Sequence, residues 1–254
     1  MTHSLRAALV IAAAALAVWP GGFASAQEAC GQAAAGLATI AAVRDGRTLL
    51  LADGREIRLA AIEVTEASRA ALVALAEGRA LTLRSAPGGT DRYGRPTVFA
   101  YPPGGPQSLQ QTLLEQGLAR MSARVDEKNC VLALLAAERA ARDAGRGLWA
   151  DPNFAPLRAE NLPRIAAERG QFALVEGKVL SVRESGATIY VNFGRRWTRD
   201  FTVTILKRTQ RTFAGAGLDP KGLEGRRIRV RGWIEQRAGP VIAATAPEQI
   251  EVLD

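Results

Sequence analysis

Residues 45–66 read DGRTLLLADGREIRLAAIEVTE, and this stretch decides the fold of the first half of the chain. Asp45-Gly46 and Asp53-Gly54 are turn-forming pairs, and apolar-rich runs lie on both sides of each. An Asp-Gly pair between two such runs is a strong signal for a short β-hairpin. The stretch therefore predicts two strands, over residues 48–52 and 56–62, that pair with each other.

The hydrophobic pattern on either side of this stretch changes repeatedly between the strand period and the helix period. Predicted strands cover 37–43, 80–84, 97–101 and 119–123, a loop covers 85–96, and predicted helices cover 65–77, 109–116 and 126–144. Residues 152–170 are mostly polar and contain three prolines, which indicates a linker. Short strands spaced along residues 171–254 predict a second small antiparallel β-barrel.

The N-terminus has the features of a secretory signal peptide. A basic Arg6 precedes 12 apolar residues from Ala7 to Val18, and Ala24-Ser25-Ala26 is typical of a cleavage site. Twelve residues are too few to cross a bilayer as a helix. We expect residues 1–26 to be removed and the mature protein to be periplasmic or secreted. An uncleaved membrane anchor is the alternative.

Histidine and cysteine limit the possible chemistry. The single histidine, His3, lies in the removable segment, which excludes catalysis and metal binding by histidine in the mature protein. Two cysteines remain, Cys30 and Cys130, and an exported protein favours a disulfide between them. Two unpaired thiols are the alternative.

The net charge of +8 is concentrated near the C-terminus. Residues 171–254 hold 14 basic and nine acidic side chains, whereas residues 27–151 hold 15 and 14. Such an excess attracts polyanions such as nucleic acid. It is equally compatible with a compositional bias toward arginine.

Four segments of the first half occur together in a known order: Asp45–Thr48, Ile57–Glu66, Asp91–Arg95 and Gln116–Ala119. Over residues 37–150 the chain resembles the thermonuclease family, the staphylococcal-nuclease-like domains. The resemblance implies an OB-type five-stranded barrel with three helices. The expected fold class is therefore mainly β with α, and the expected organisation is a thermonuclease-like domain at 27–151, a linker and a basic domain at 171–254.

Hydrolysis of a phosphodiester needs a base that activates water and cations that neutralise charge developing on phosphorus. The resemblance implies that Glu66 is the general base and that Arg58 and Arg95 hold the phosphate. It also places Arg92 and Tyr93 beside the nucleotide. Without the resemblance, Glu66 is an acid at the start of a helix and the arginines are surface residues.

Three departures from the family pattern concern the metal site. Arg47 stands where the family has a calcium-binding Asp, Glu63 replaces a second Asp, and Val64-Thr65 replaces Thr-Pro. Calcium needs six to eight oxygen ligands with sufficient negative charge, so we expect no calcium site of the family type. Arg47 is instead a candidate third phosphate ligand. Two aromatic positions of the family also align with Ala123 and Val125, which cannot stack on a base.

In the second half, Arg195, Arg196 and Trp197 combine charge with an aromatic ring, as single-strand-binding proteins do. The alternative is a hairpin connection with Trp197 folded onto the barrel. In residues 226–231, arginine alternates with Ile228 and Val230, which predicts one core face and one solvated basic face.

The sequence leads to one main hypothesis and two rivals. The main hypothesis is an exported thermonuclease-like phosphodiesterase acting on single-stranded DNA or RNA, with a degraded metal site. The first rival keeps the fold but loses turnover, which leaves a nucleic-acid- or polyanion-binding module of the cell envelope. The second rival is an envelope protein that binds a protein or glycan partner.

Overall fold

The structure is a computed structural model that describes residues 30–32, 34–122, 125 and 127–253. The predicted signal peptide at 1–26 lies outside these residues, as does Ala123. Within the described ranges, no helix is both long enough and apolar enough to span a membrane.

Five strands of the first half close into a barrel, which confirms the expected OB-type fold. The strands of this half are β1 (Ala34–Val43), β2 (Thr48–Leu51), β3 (Glu56–Leu59), β4 (Ile62–Val64), β5 (Ala80–Thr90), β6 (Pro96–Tyr101) and β7 (Ala119–Met121). The barrel order is β1-β2-β3-β6-β5, and β2 and β3 form the predicted hairpin. Leu49 and Leu51 on β2 and Ile57 and Leu59 on β3 are buried in the barrel core, as the two-residue period of a strand requires.

The segment 56–62, predicted as one strand, forms two. Ala61 has a φ of 60°, in the left-handed region that a residue with a Cβ seldom adopts. The chain leaves the barrel there, and β4 pairs with β7 instead. A local pattern of apolar residues cannot reveal this change of partner, because β4 and β7 lie more than 50 residues apart.

The segment 85–96, predicted as a loop, is mostly strand. β5 continues to Thr90 and pairs with β6 through an irregularity that contains Gly88 and Gly89, both at positive φ. The real connection is the short turn 91–95. The Asp91–Arg95 motif therefore lies at the tip of a β-hairpin.

The three expected helices are present as α1 (Ala67–Ala76), α2 (Leu109–Glu115) and α3 (Lys128–Asp143). The side chain of Ser108 caps α2 by accepting a hydrogen bond from the backbone N–H of Gln111. Cys30 and Cys130 form the predicted disulfide, which ties the start of the described chain to α3.

The second half is a further β domain. Its elements are β8 (Leu157–Arg158), α4 (Leu162–Ala167), β9 (Phe172–Lys178), β10 (Ser181–Ser185), β11 (Thr188–Asn192), β12 (Thr202–Leu206), α5 (Gln210–Gly215), β13 (Arg227–Trp233), β14 (Glu235–Gln236), β15 (Pro240–Ala244) and β16 (Ile250–Val252). They form a sheet of order β10-β11-β12-β15-β14 and a sheet of order β16-β13-β9-β8 around one core. The prediction of an antiparallel barrel needs correction, because the strands divide between two sheets and β12 pairs parallel with β15.

Residues 152–170, predicted as a linker, contribute to this second core. Leu157 and Ile165 are buried in it, and β8 adds a parallel strand to β9. Pro152 and Pro163 begin helical turns, where the missing N–H costs nothing. The prolines of this segment therefore start short elements. The domain limits at 26, 151 and 170 stay predictions.

The two halves meet through β13, and the expectation of a solvated basic face on this strand is wrong for Arg229 and Arg231, whereas Arg227 is exposed. Arg231 is 0% exposed and forms ion pairs with Glu138 of α3 and Glu251 of β16. Arg229 pairs with Glu176 and Glu251. Alternation identified the strand, but it could not show that the other half of the chain covers its polar face.

Candidate functional site

An open cleft of about 800 Å³ lies where the two halves meet. From the first half it is lined by strand β3, the turn into β4 and the hairpin tip 91–95; from the second half it is lined by the end of β13 and by residues of β9 and β15. Of the side chains predicted to bind substrate or metal, the cleft brings together six: Arg47, Arg58, Glu63, Arg92, Tyr93 and Arg95.

Arg58 lines the cleft without an acid partner among the described residues. Its guanidinium is half-buried on β3, and it makes neither a hydrogen bond nor an ion pair with any residue that the structure describes. Burial lowers the pKa of Arg58, and the positive charges of Arg47 and Arg95 lower it further. Asp45 and Glu63 act in the opposite direction without outweighing these effects. The charged form of Arg58 is thus short of compensating negative charge.

Arg47 is held in place by the carboxylate of Glu63. Its Nη1 lies 2.7 Å from Oε1 of Glu63 and donates a 2.7 Å hydrogen bond to the carbonyl of Ile62. Asp45 accepts hydrogen bonds from the Arg47 N–H at 2.8 Å and the Thr48 hydroxyl at 2.9 Å. Because the two remaining carboxylates are engaged in this way, the donor set does not fit calcium. No group of three or more His, Cys, Asp or Glu side chains in the described part of the chain could hold a metal ion.

The hairpin tip 91–95 is organised by its own side chains. Oδ2 of Asp91 lies 2.8 Å from Nε and 2.7 Å from Nη2 of Arg95. The guanidinium carbons of Arg92 and Arg95 lie 4.8 and 5.2 Å from the centroid of the Tyr93 ring. Arg92 also donates a 2.7 Å hydrogen bond to the Tyr93 hydroxyl. These contacts present two guanidiniums and one exposed ring to the cleft in a preformed arrangement.

Comparison with protein families identifies the first half. Residues 59–151 match the family described as staphylococcal nuclease homologue. This part of the chain, 93 of its 254 residues, is similar to that family. The match confirms the thermonuclease resemblance for residues 59–151. A search of curated proteins finds no match to the chain.

One predicted site residue, Glu66, does not line the cleft. Glu66 is exposed at the N-cap position of α1 and makes no capping hydrogen bond. It is not among the residues that line the cleft. The structure therefore brings the predicted phosphate-binding arginines to one cleft and leaves the predicted general base outside its lining.

The basic loop of the second half is also separate from this cleft. Arg195 and Arg196 are exposed, and Trp197 is 67% exposed, so the alternative in which Trp197 folds onto the barrel is wrong. Phe193 takes that place, with its ring centroid 5.1 Å from that of Phe201. None of these loop residues lines the cleft beside the nuclease-like domain.

Sequence reasoning missed the residues that the second half contributes to the cleft. Phe172 and Trp233 line it together with the nuclease-like arginines. The two rings pack edge to face, with centroids 6.1 Å apart. Only the docking of β9 and β13 against the first half brings them there, so no local motif could have identified them.

Proposed function

We propose that the cleft binds the phosphodiester backbone of single-stranded nucleic acid, with Arg58 as the central phosphate ligand. The observation that carries this proposal is the half-buried guanidinium of Arg58, which has no acid partner and stands near two further arginines. A guanidinium can bind two phosphate oxygens at once through parallel hydrogen bonds. A phosphate in the cleft supplies the negative charge that Arg58 otherwise lacks.

Arg47, Arg92 and Arg95 surround this phosphate site with additional positive charge. Arg95 stays oriented by Asp91, and Arg47 stays oriented by Glu63. Each therefore contributes mainly through its position and its field, while Arg58 has free donors. The basic loop with Arg195, Arg196 and Trp197 is a separate, outer contact for a longer strand.

We propose that this binding does not use calcium. The carboxylate of Glu63 is already ion-paired with Arg47. An Arg in place of Asp at position 47 also changes the local charge by two units and removes one metal ligand. At ~4 Å and an effective dielectric near 20, two like charges repel by about 4 kcal/mol. A divalent cation beside Arg47 is therefore disfavoured.

Hydrolysis is the second candidate function, and the family match favours it. In this mechanism the carboxylate of Glu66 takes a proton from water, the water oxygen attacks phosphorus, and the P–O ester bond breaks as the leaving oxygen gains a proton from solvent. Arg58 and Arg95 neutralise the charge on the phosphoryl oxygens. Glu66 is not among the cleft-lining residues, and Glu63, three residues earlier, is.

Export through a signal peptide is part of the proposal. The Cys30–Cys130 disulfide supports it, since disulfides persist in oxidising compartments. A periplasmic or secreted location also brings the protein into contact with extracellular nucleic acid.

One set of measurements tests both candidates: binding and cleavage of short single-stranded DNA and RNA, first with calcium and then with a chelator. We expect binding in both conditions and no stimulation of cleavage by calcium. Arg58→Ala should weaken binding about tenfold or more, since hydrogen bonds to charged groups contribute about 1.5–3 kcal/mol. Arg55→Ala is the matched control, because Arg55 is an exposed arginine on the same hairpin, paired with Asp53 and away from the cleft.

The variant Arg47→Asp tests whether the protein has lost only calcium binding or has lost catalysis as well. The variant frees Glu63 and restores a carboxylate at position 47, so calcium should then raise the melting temperature. If calcium-dependent cleavage also appears and Glu66→Gln abolishes it, Glu66 is the base of a dormant nuclease. Strong calcium-dependent cleavage by the unaltered protein would contradict the proposed calcium-free site.

A further inference from the structure

Trp233 brings an exposed indole from the second half of the chain to the phosphate cleft. It is the last residue of β13, it is 50% exposed, and it lines the same cleft as Arg58 and Tyr93. Its indole N–H donates no hydrogen bond to any described residue. A large ring left half in solvent beside a cationic site is a surface available for stacking.

The strand that carries Trp233 is fixed to the first half by buried charges. Arg231 lies two residues earlier, on the same face of β13. Its Nη1 is 2.8 Å from Oε2 of Glu138 and donates a 3.1 Å hydrogen bond to the carbonyl of Met121. Both partners belong to the first half. The next side chain on this face, Trp233, is therefore directed to the cleft by an anchored strand.

The ring itself is supported from behind. Phe172 meets Trp233 edge to face at 75°, and the guanidinium carbon of Arg120 lies 5.2 Å from the centroid of Phe172. Arg120 comes from β7 and donates a 2.6 Å hydrogen bond to the carbonyl of Phe172. The indole thus contacts a ring that is itself held by Arg120 of the first half, and this contact limits the side-chain entropy lost when a ligand packs against the indole.

We propose that Trp233 stacks on an unpaired base of a single-stranded nucleic acid whose adjacent phosphate binds Arg58; this rests on the proposed function of the cleft. Every base has a π face, so such stacking tolerates different sequences but requires a base outside a duplex. Val125, which occupies one of the two aromatic positions of the thermonuclease pattern, is buried and aliphatic. The second half of the chain supplies an aromatic surface in the same cleft, and with it a preference for single strands.

The test compares a fluorescently labelled tetrathymidylate with a tetranucleotide of the same charge whose sugars carry no bases. Trp233→Leu should weaken binding of the tetrathymidylate about tenfold and change binding of the base-free strand less than twofold. Trp233→Tyr keeps a π face and should stay within threefold of the unaltered protein on both strands. Tyr190→Leu is the control, because Tyr190 is a partly exposed aromatic residue of the second half that does not line the cleft.

The outcomes distinguish the two proposals. If Trp233→Leu binds the tetrathymidylate as tightly as the unaltered protein does, or loses both strands equally, stacking by Trp233 is overturned. If Arg58→Ala still weakens both strands in that case, the phosphate site stands without it. If the unaltered protein binds neither strand, both proposals fail. The Leu and Tyr variants each keep a bulky side chain, and matching melting temperatures would show that both have folded.

Discussion

Two arginines on the two halves of the chain are buried in opposite ways. Arg231 is fully buried, and two carboxylates from different elements compensate its charge. Arg58 is half-buried, and among the charges around it those of Arg47 and Arg95 affect its pKa most. A buried charge is costly unless it is paired. The first arginine has its partners within the fold, whereas the second has no acid partner among the described residues, and we propose that a phosphate takes that place.

This difference separates a structural role from a binding role more clearly than sequence does. Both arginines lie on β-strands and both alternate with apolar residues. They differ in the acidic side chains around them. Arg231 pairs with Glu138 of α3 and Glu251 of β16. Near Arg58, the carboxylate of Glu63 is already paired with Arg47.

The largest effect should come from Arg231→Ala. Removing Arg231 leaves Glu138 and Glu251 buried near each other without their shared partner, and breaking a buried pair in this way costs about 3–5 kcal/mol. The free energy of unfolding, measured with urea, should fall by that amount. Arg58→Ala should change it by less than about 0.5 kcal/mol, because no ion pair is lost. Equal effects of the two variants would contradict the distinction.

A smaller effect should appear in acid. Burial by itself raises the pKa of Glu251, but the charges of Arg231 and Arg229 outweigh it and hold the pKa below its usual value of 4.5. Because the folded-state pKa is lowered, the stabilisation is complete above about pH 4.5 and is lost as the pH falls through the folded-state value. The urea midpoint should therefore decrease between pH 5 and pH 3.

Arg231→Met provides the control for the acid prediction. Without the charge of Arg231, the pKa of Glu251 should lie closer to its unfolded value, so the midpoint of the variant should depend less on pH. A variant with the same or a steeper acid dependence would show that other carboxylates cause the loss of stability.

The sequence was sufficient for features that depend on local pattern. The Asp53-Gly54 hairpin, the three helices of the first half and the pairing of Cys30 with Cys130 follow from turn chemistry, periodicity and compartment. The family motifs also led to all four arginines that line the cleft. These inferences succeed because each depends on neighbours in sequence or on an ordered set of motifs.

Features that depend on long-range docking could not be obtained in the same way. The burial of Arg231, the role of residues 157–165 in the second core and the arrival of Trp233 at the cleft all result from packing between distant segments. Ala61 is a further example, since its positive φ redirects the chain toward β7. The position of Glu66 outside the cleft lining also could not be inferred from its spacing to Arg58.

The central claim is that Arg58 binds a phosphate of single-stranded nucleic acid, and the salt dependence of binding tests it most directly. The logarithm of the binding constant should fall linearly with the logarithm of salt concentration, with a slope of about −0.7 for each phosphate contacted on a single strand. Measured in chelator, Arg58→Ala should weaken binding and make the slope shallower by about 0.7, while Arg55→Ala should leave both unchanged. Identical slopes for the unaltered protein and Arg58→Ala would contradict the account, because Arg58 would then neutralise no phosphate.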